Sequence, residues 1–165
     1  MKKVLTFALT LACAFLSTSC SRPEVEPIEV QKEAIYSEGF DVVWTAVVSI
    51  FAEFDIPVSN MEKESGFVNC NDVRVPEEWL IIPEGYIVKN CRASFNVFVT
   101  EIEGGCKVAV TASFYADVTK WAPFVGFYTA EQEPFLSSGI FEERFHIRIA
   151  ERLSQHGEPG ETSGG

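Results

Sequence analysis

Few side chains in this 165-residue chain have the types and spacing for chemistry. His146 follows Glu142 by four residues, so one face of a helix would carry both. A metal needs more ligands than this pair, and the second imidazole, His156, lies in a polar tail. The pair therefore reads as ordinary decoration of a helix surface. Cys106 would act as a nucleophile only beside an activating base, and its parity in an alternating strand makes it a small core residue instead. Ser137 and Ser138 stand in no nucleophile elbow. Gly104-Gly105 reads as a hairpin turn rather than a phosphate loop. With no triad, metal set or cofactor motif in view, the sequence predicts a non-enzyme that calls for no cofactor.

The elements that would position these side chains are easier to read. Phe40, Trp44, Val47, Phe51 and Phe54 recur at helical spacing, widened by Val43 and Ile50, which predicts an amphipathic helix. Ser37 would cap it, with Glu38 in its first turn, and Asp55 and Pro57 would stop it. Ile56–Met61 and Phe67–Asn71 read as strands around a Lys63-Glu64-Ser65-Gly66 turn, with Ile56 and Val58 inward. Cys91–Ile102 and Cys106–Tyr115 alternate apolar and polar residues around Glu103-Gly104-Gly105. Ser138–Leu153 closes the domain as a helix, with Phe141, Phe145, Ile149 and Leu153 every fourth residue. The expected fold is a two-layer α+β domain over 36–154, a four-stranded antiparallel sheet with two helices on one face, in the order helix-β-β-β-β-helix. Residues 155–165 lack apolar side chains and read as a disordered tail.

Residues 1–19 read as a targeting segment: Lys2 and Lys3, then an apolar run from Val4 to Leu16 too short to span a bilayer. Leu16, Ser17, Thr18 and Ser19 precede Cys20 and resemble a bacterial lipobox. That resemblance implies a lipidated Cys20 at the mature N-terminus. Ser21 in place of Asp implies, by the enteric sorting rule, an outer-membrane address facing the periplasm. Residues 20–35, with Pro23, Glu24, Glu26, Pro27 and Glu29, read as a tether. Removing residues 1–19 takes Lys2 and Lys3 and shifts the formal net charge from −11 to −13. That balance argues against nucleic acid and against a polybasic grip on anionic lipid, so the lipid itself would hold the membrane.

The stretches FDVVWTAVVSIFAEFDIPVSNMEKESGFV and SSGIFEERFHIRIAERL resemble the first helix–strand–turn–strand and the closing helix of small bacterial lipoproteins with a BamC-like fold. The resemblance covers Tyr36 to Leu153. It implies a non-catalytic structural or interaction module of the cell envelope with a protein partner. The alternative is a carrier or sensor holding a small apolar ligand between helices and sheet.

Two expectations concern sites. Cys70 would end the second strand and Cys91 begin the third, so antiparallel pairing predicts a Cys70–Cys91 disulfide, with Cys106 free; the alternative is three reduced core cysteines. Two aromatic insertions would either form a partner-binding surface or fold back to seal the open end of the core: Trp79, Leu80, Ile81, Ile82 and Tyr86 in the first, and Trp121, Phe124, Val125, Phe127 and Tyr128 in the second. In a four-stranded meander both would emerge at one pole of the sheet and the tether at the other.

Overall fold

The computed structural model describes residues 29–122, 124 and 126–157. Cys20, the targeting segment, Val125 and the tail beyond Gly157 lie outside those residues. In chain order the elements are β1 (Glu33–Tyr36), α1 (Phe40–Glu53), β2 (Asn60–Glu62), β3 (Phe67–Arg74), one 3-10 turn (Glu77–Trp79), β4 (Leu80–Ile81), β5 (Ile87–Ile102), β6 (Gly105–Ala122), β7 (Gly126–Ser137) and α2 (Ile140–Gly157).

The expected four-stranded sheet with two helices on one face is corrected. The sheet has seven strands, all antiparallel, in the order β2-β3-β5-β6-β7-β4, with β1 also paired to β6. Three segments account for the difference. Glu33–Tyr36, of which all but Tyr36 reads as tether in the sequence, lies along Cys106–Ala109. The supposed second insertion continues β6 and returns as β7, pairing Phe114 with Phe135 and Ala122 with Gly126. Glu131-Gln132-Glu133-Pro134 hid β7: a register shift breaks its alternation there, and proline reads as a breaker. Leu80–Ile81 then pairs with the far edge of β7.

One hydrophobic core fills the space under α1 and α2. Val43, Val47, Ile50 and Phe51 of α1 and Phe141, Phe145 and Ile149 of α2 are buried against Phe95, Val97, Val108 and Val110. Phe141 stacks on Phe95 at 4.1 Å between ring centroids, and Phe51 meets Phe145 at 5.3 Å. Side chains of this size contribute about 1.5–3 kcal/mol each on burial.

The start of α1 differs from expectation, while its end falls at Asp55 as expected. Gly39, not Ser37, precedes α1, and its carbonyl accepts from the Val42 and Val43 amides. Asp55 takes φ +53 and ends α1, with the Ile56 amide returning to the Phe51 carbonyl. Val58 is exposed rather than inward. Gln155 belongs to α2, not to a tail. Gly66 does need its conformation: at φ +66 an added Cβ would lie 2.0 Å from the Val99 carbonyl oxygen.

Candidate functional site

The two expected aromatic surfaces part company. Trp79 packs inward, its ring 4.9 Å from Phe141 and 6.2 Å from Phe95. Leu80 is buried, Ile81 half-buried, and Ile82 and Tyr86 pack against the core. This insertion seals the sheet and offers no docking surface, because apolar side chains with room to fold back bury themselves.

The β6–β7 end does the opposite. Trp121 and Phe127 face each other across the ladder and are 63% and 72% exposed. Opposed residues on one face of a strand pair bring their side chains together. Phe124 is fully exposed at the turn, held at φ +69. Ile87, opposite Thr119 and missed by the sequence reading, adds an exposed apolar side chain two positions from Trp121 in register. Lys120 and Tyr128 form the neighbouring pair, on the other face by alternation. Lys120 pairs with Glu133 and sits 4.9 Å over the Tyr86 ring, which ties the hairpin to the domain. The Thr119 and Thr129 hydroxyls are bonded at 3.1 Å. No charged residue lies between Trp121 and Tyr128.

A second cluster corrects the reading of Glu142 and His146 as surface decoration. Glu142 and His146 are both buried, not on a helix surface. Glu142 accepts a 2.9 Å bond from the Ser137 hydroxyl, which also receives the Gly139 amide. Ser137 therefore fastens the start of α2 and stands in no relation to an imidazole base. His146 Nδ1 meets the Tyr36 hydroxyl at 3.0 Å, joining α2 to β1. Its Nε2 has no hydrogen-bond partner among the described residues. Burial holds the His146 pKa below its ordinary value, partly offset by the nearby Lys32 carbonyl, and burial pushes the Tyr36 hydroxyl up. A groove of about 300 Å³ runs past this cluster, between Val30 and Lys32 on one side and Pro134–Ser137 on the other.

A third cluster marks a line of register shifts across the sheet. They occur between Cys70 and Val73, between Lys89 and Arg92, and between Ala116 and Val118. Asp72, Asn90 and Gln132 sit at them with φ +56, +51 and +53. Their side chains line a polar hollow of about 420 Å³ with Arg92, Tyr115 and Asp117. The groups satisfy one another. Arg92 pairs with Asp72, which also accepts the Tyr115 hydroxyl at 2.8 Å, and the Asn90 amide donates to Asp117 at 2.6 Å. Arg92, then Tyr115, hold the Asp72 carboxyl below the usual carboxylate range. Polar bulges of this kind bend strands.

The expected Cys70–Cys91 disulfide is corrected. Cys70 stands opposite Phe95, while the Cys91 carbonyl receives the Val75 amide. Four residues of strand separate the two positions, about 13 Å, well beyond disulfide reach. Cys70, Cys91 and Cys106 are free and buried. Burial pushes the Cys70 thiol up to about 11 and raises the other two, which leaves no activated nucleophile among them. Among the described residues no three His, Cys, Asp or Glu side chains gather as metal ligands would.

The expected poles are also corrected. β1 runs antiparallel to β6, so the chain upstream of Tyr36 travels toward the β6–β7 tip, not away from it. No protein-family model matches this chain, and a search of curated proteins finds no match to it.

Proposed function

We propose that this chain is a lipid-anchored, non-catalytic module of the cell envelope that makes its contacts through the aromatic end of the β6–β7 hairpin. The observation that carries the proposal is the exposure of Trp121, Phe124 and Phe127 on a ladder fastened to the domain by Lys120. Scattered exposed apolar residues need no explanation, but a contiguous aromatic end on a rigid element does. The address, lipid at Cys20 on the periplasmic face of the outer membrane, and the kinship to BamC-like lipoproteins are parts of the same proposal and rest on the sequence. Against the ligand-carrier alternative, the Phe95, Phe141 and Phe145 rings stack on one another in the interlayer where the ligand would lie.

Two measurements test the proposal. Cys20→Ala should release the protein from sedimenting membranes and abolish the mass gain of acylation. A photoreactive phenylalanine analogue in place of Phe124, expressed in the protein's own cells, should form adducts with envelope components. The same analogue at Ile147, exposed on α2, should form none. Adducts absent at position 124 would remove the contact surface from the proposal.

A further inference from the structure

We propose that the β6–β7 tip enters a lipid bilayer, placing Trp121, Phe124 and Phe127 in the interfacial layer of the membrane that holds Cys20. The proposal rests on the lipid-anchored reading above and names what the tip touches.

Three independent observations lead there. The first is the chemistry of the tip. From Trp121 to Tyr128 the sequence carries four aromatic rings and no charge. Trp and Tyr settle at membrane interfaces, where an apolar ring body meets a wet edge. Trp121 and Phe127 project side by side, with Phe124 beyond them at the turn. The strand pairing closes on Ala122 and Gly126, so few unpaired backbone groups would be carried to membrane depth.

The second is the distribution of charge along the molecule. The β5–β6 turn and the β2–β3 turn lie together at the opposite pole, where the Gly66 carbonyl receives the Val99 amide. That pole exposes Glu62, Glu64, Glu101 and Glu103, with Lys63 between the first two and paired to Asp41. The anchored protein, of net charge −13 once residues 1–19 are removed, thus places a charge-free aromatic end at one pole and an excess of carboxylates at the other. An anionic bilayer surface repels the acidic pole and admits the aromatic one, so the field alone orients the molecule tip-down.

The third is the course of the chain. From Tyr36 back to Glu33 it follows β6 from Cys106 to Ala109, and the Lys32 carbonyl then takes the Val110 amide. Val30 lies beside Gly139 and the end of β7. Val30 and Lys32 share a groove with Ala112, Ser113 and Phe114, on the tip side of the β1 pairing, and Ser113 is nine residues of β6 short of Ala122. Nine residues also separate Glu29 from Cys20, an extended reach of about 30 Å, which matches that rise. An extended tether of that length would let anchor and tip reach one plane. A single insertion of three rings is weak, but tethering supplies the high local concentration that makes a weak second contact persist.

The test uses the three tryptophans of the chain. Trp44 is buried and Trp79 packs inside, so only Trp121 can meet acyl chains. The full lipidated protein is placed in phosphatidylethanolamine–phosphatidylglycerol vesicles whose acyl chains carry bromine near the headgroup. Trp121 emission should shift to the blue and lose its share of intensity relative to unbrominated vesicles. The Trp121→Phe variant should show no bromine quenching, and Phe127→Ser should reduce it with unchanged far-UV circular dichroism. Unquenched Trp121 in an anchored protein overturns the proposal. If the photoreactive side chain at position 124 then gives protein adducts and no lipid adducts, the tip binds a protein partner and the envelope-module reading survives without the bilayer. If the mature mass shows Cys20 unacylated, the anchoring reading fails. Quenching on added vesicles then still decides the tip: present, it sustains insertion; absent at saturating lipid, it ends it.

Discussion

Trp79 and Trp121 show how one residue type takes opposite roles within a single chain. In the sequence each stands among aliphatic and aromatic neighbours, and nothing in either window separates them. The structure does: Trp79 lies 4.9 Å from Phe141 inside the core, while Trp121 stands out at the hairpin end. The difference comes from the partner strand. The β4 stub pairs Leu80 with Ser137 and turns the preceding ring toward α2, whereas Trp121 pairs with a residue as exposed as itself. Trp79→Ser should therefore cost about 3 kcal/mol of folding stability, the low end for a large aromatic truncation. Trp121→Ser should shift stability by no more than about 0.5 kcal/mol, as for other surface positions. Urea unfolding of both variants checks the pair, and equal destabilisation would mean the tip is core. The cysteines give the same lesson in register. Parity correctly marked Cys70 and Cys91 as inward residues, but parity does not say how far along the partner strand they lie.

At the scale of elements, the apolar stripes of the two helices and the alternation of β5 and β6 were legible because each repeats one period many times. The elements that escaped break their period. β7 carries the register shift near Gln132 and a proline, and β1 and β4 are too short for any alternation to register. Asp72 and Asn90 also went unread as a site, since an Asx residue in the left-handed region looks like a turn residue until its neighbours are known. Their contribution is measurable. Asn90 combines a left-handed backbone with a 2.6 Å bond to Asp117. Asn90→Gly keeps the backbone and loses the bond, a cost of about 1 kcal/mol. Asn90→Ala loses both and should cost about 1 kcal/mol more, the lower bound for forcing a Cβ into that region. Denaturant midpoints for the two variants separate the terms. Equal values would show that the bulge conformation stores no strain worth relieving with glycine.

Across the whole molecule, the end of the segment that reads as a tether is part of the sheet. Glu33, Ala34 and Ile35 read as tether in the sequence because proline and glutamate precede them, but four residues suffice to pair with β6 once that strand exists. β1 is held at a second point, where Tyr36 meets His146 of α2, 110 positions away in the chain. That contact makes the strap pH-sensitive in a definite direction. Burial penalises the charged imidazole, so the folded pKa lies below the unfolded value of about 6.5. Below that pH the unfolded chain binds the proton more readily than the folded one. The stabilisation from neutral His146 is therefore complete above about pH 6.5 and is lost as pH falls toward the folded pKa, by up to about 1.4 kcal/mol per unit. The carboxylates of Glu53 and Asp72, held low by Arg152 and Arg92, lose their share only in a more acid range. His146→Gln keeps a polar partner for Tyr36 and removes the titration. Its stability should be lower than wild type at pH 7.5 by about 1 kcal/mol, the worth of one ordinary hydrogen bond, and should change little between pH 6.5 and 5. Wild type should weaken over that interval, so the two curves converge as the pH drops. Hydrogen exchange at the Val110 amide, which bonds Lys32 beside the imidazole, should quicken in wild type over the same range beyond the intrinsic rate. Parallel stability curves for the two proteins would show that His146 does not carry the pH dependence and that the strap is held by its strand pairing alone.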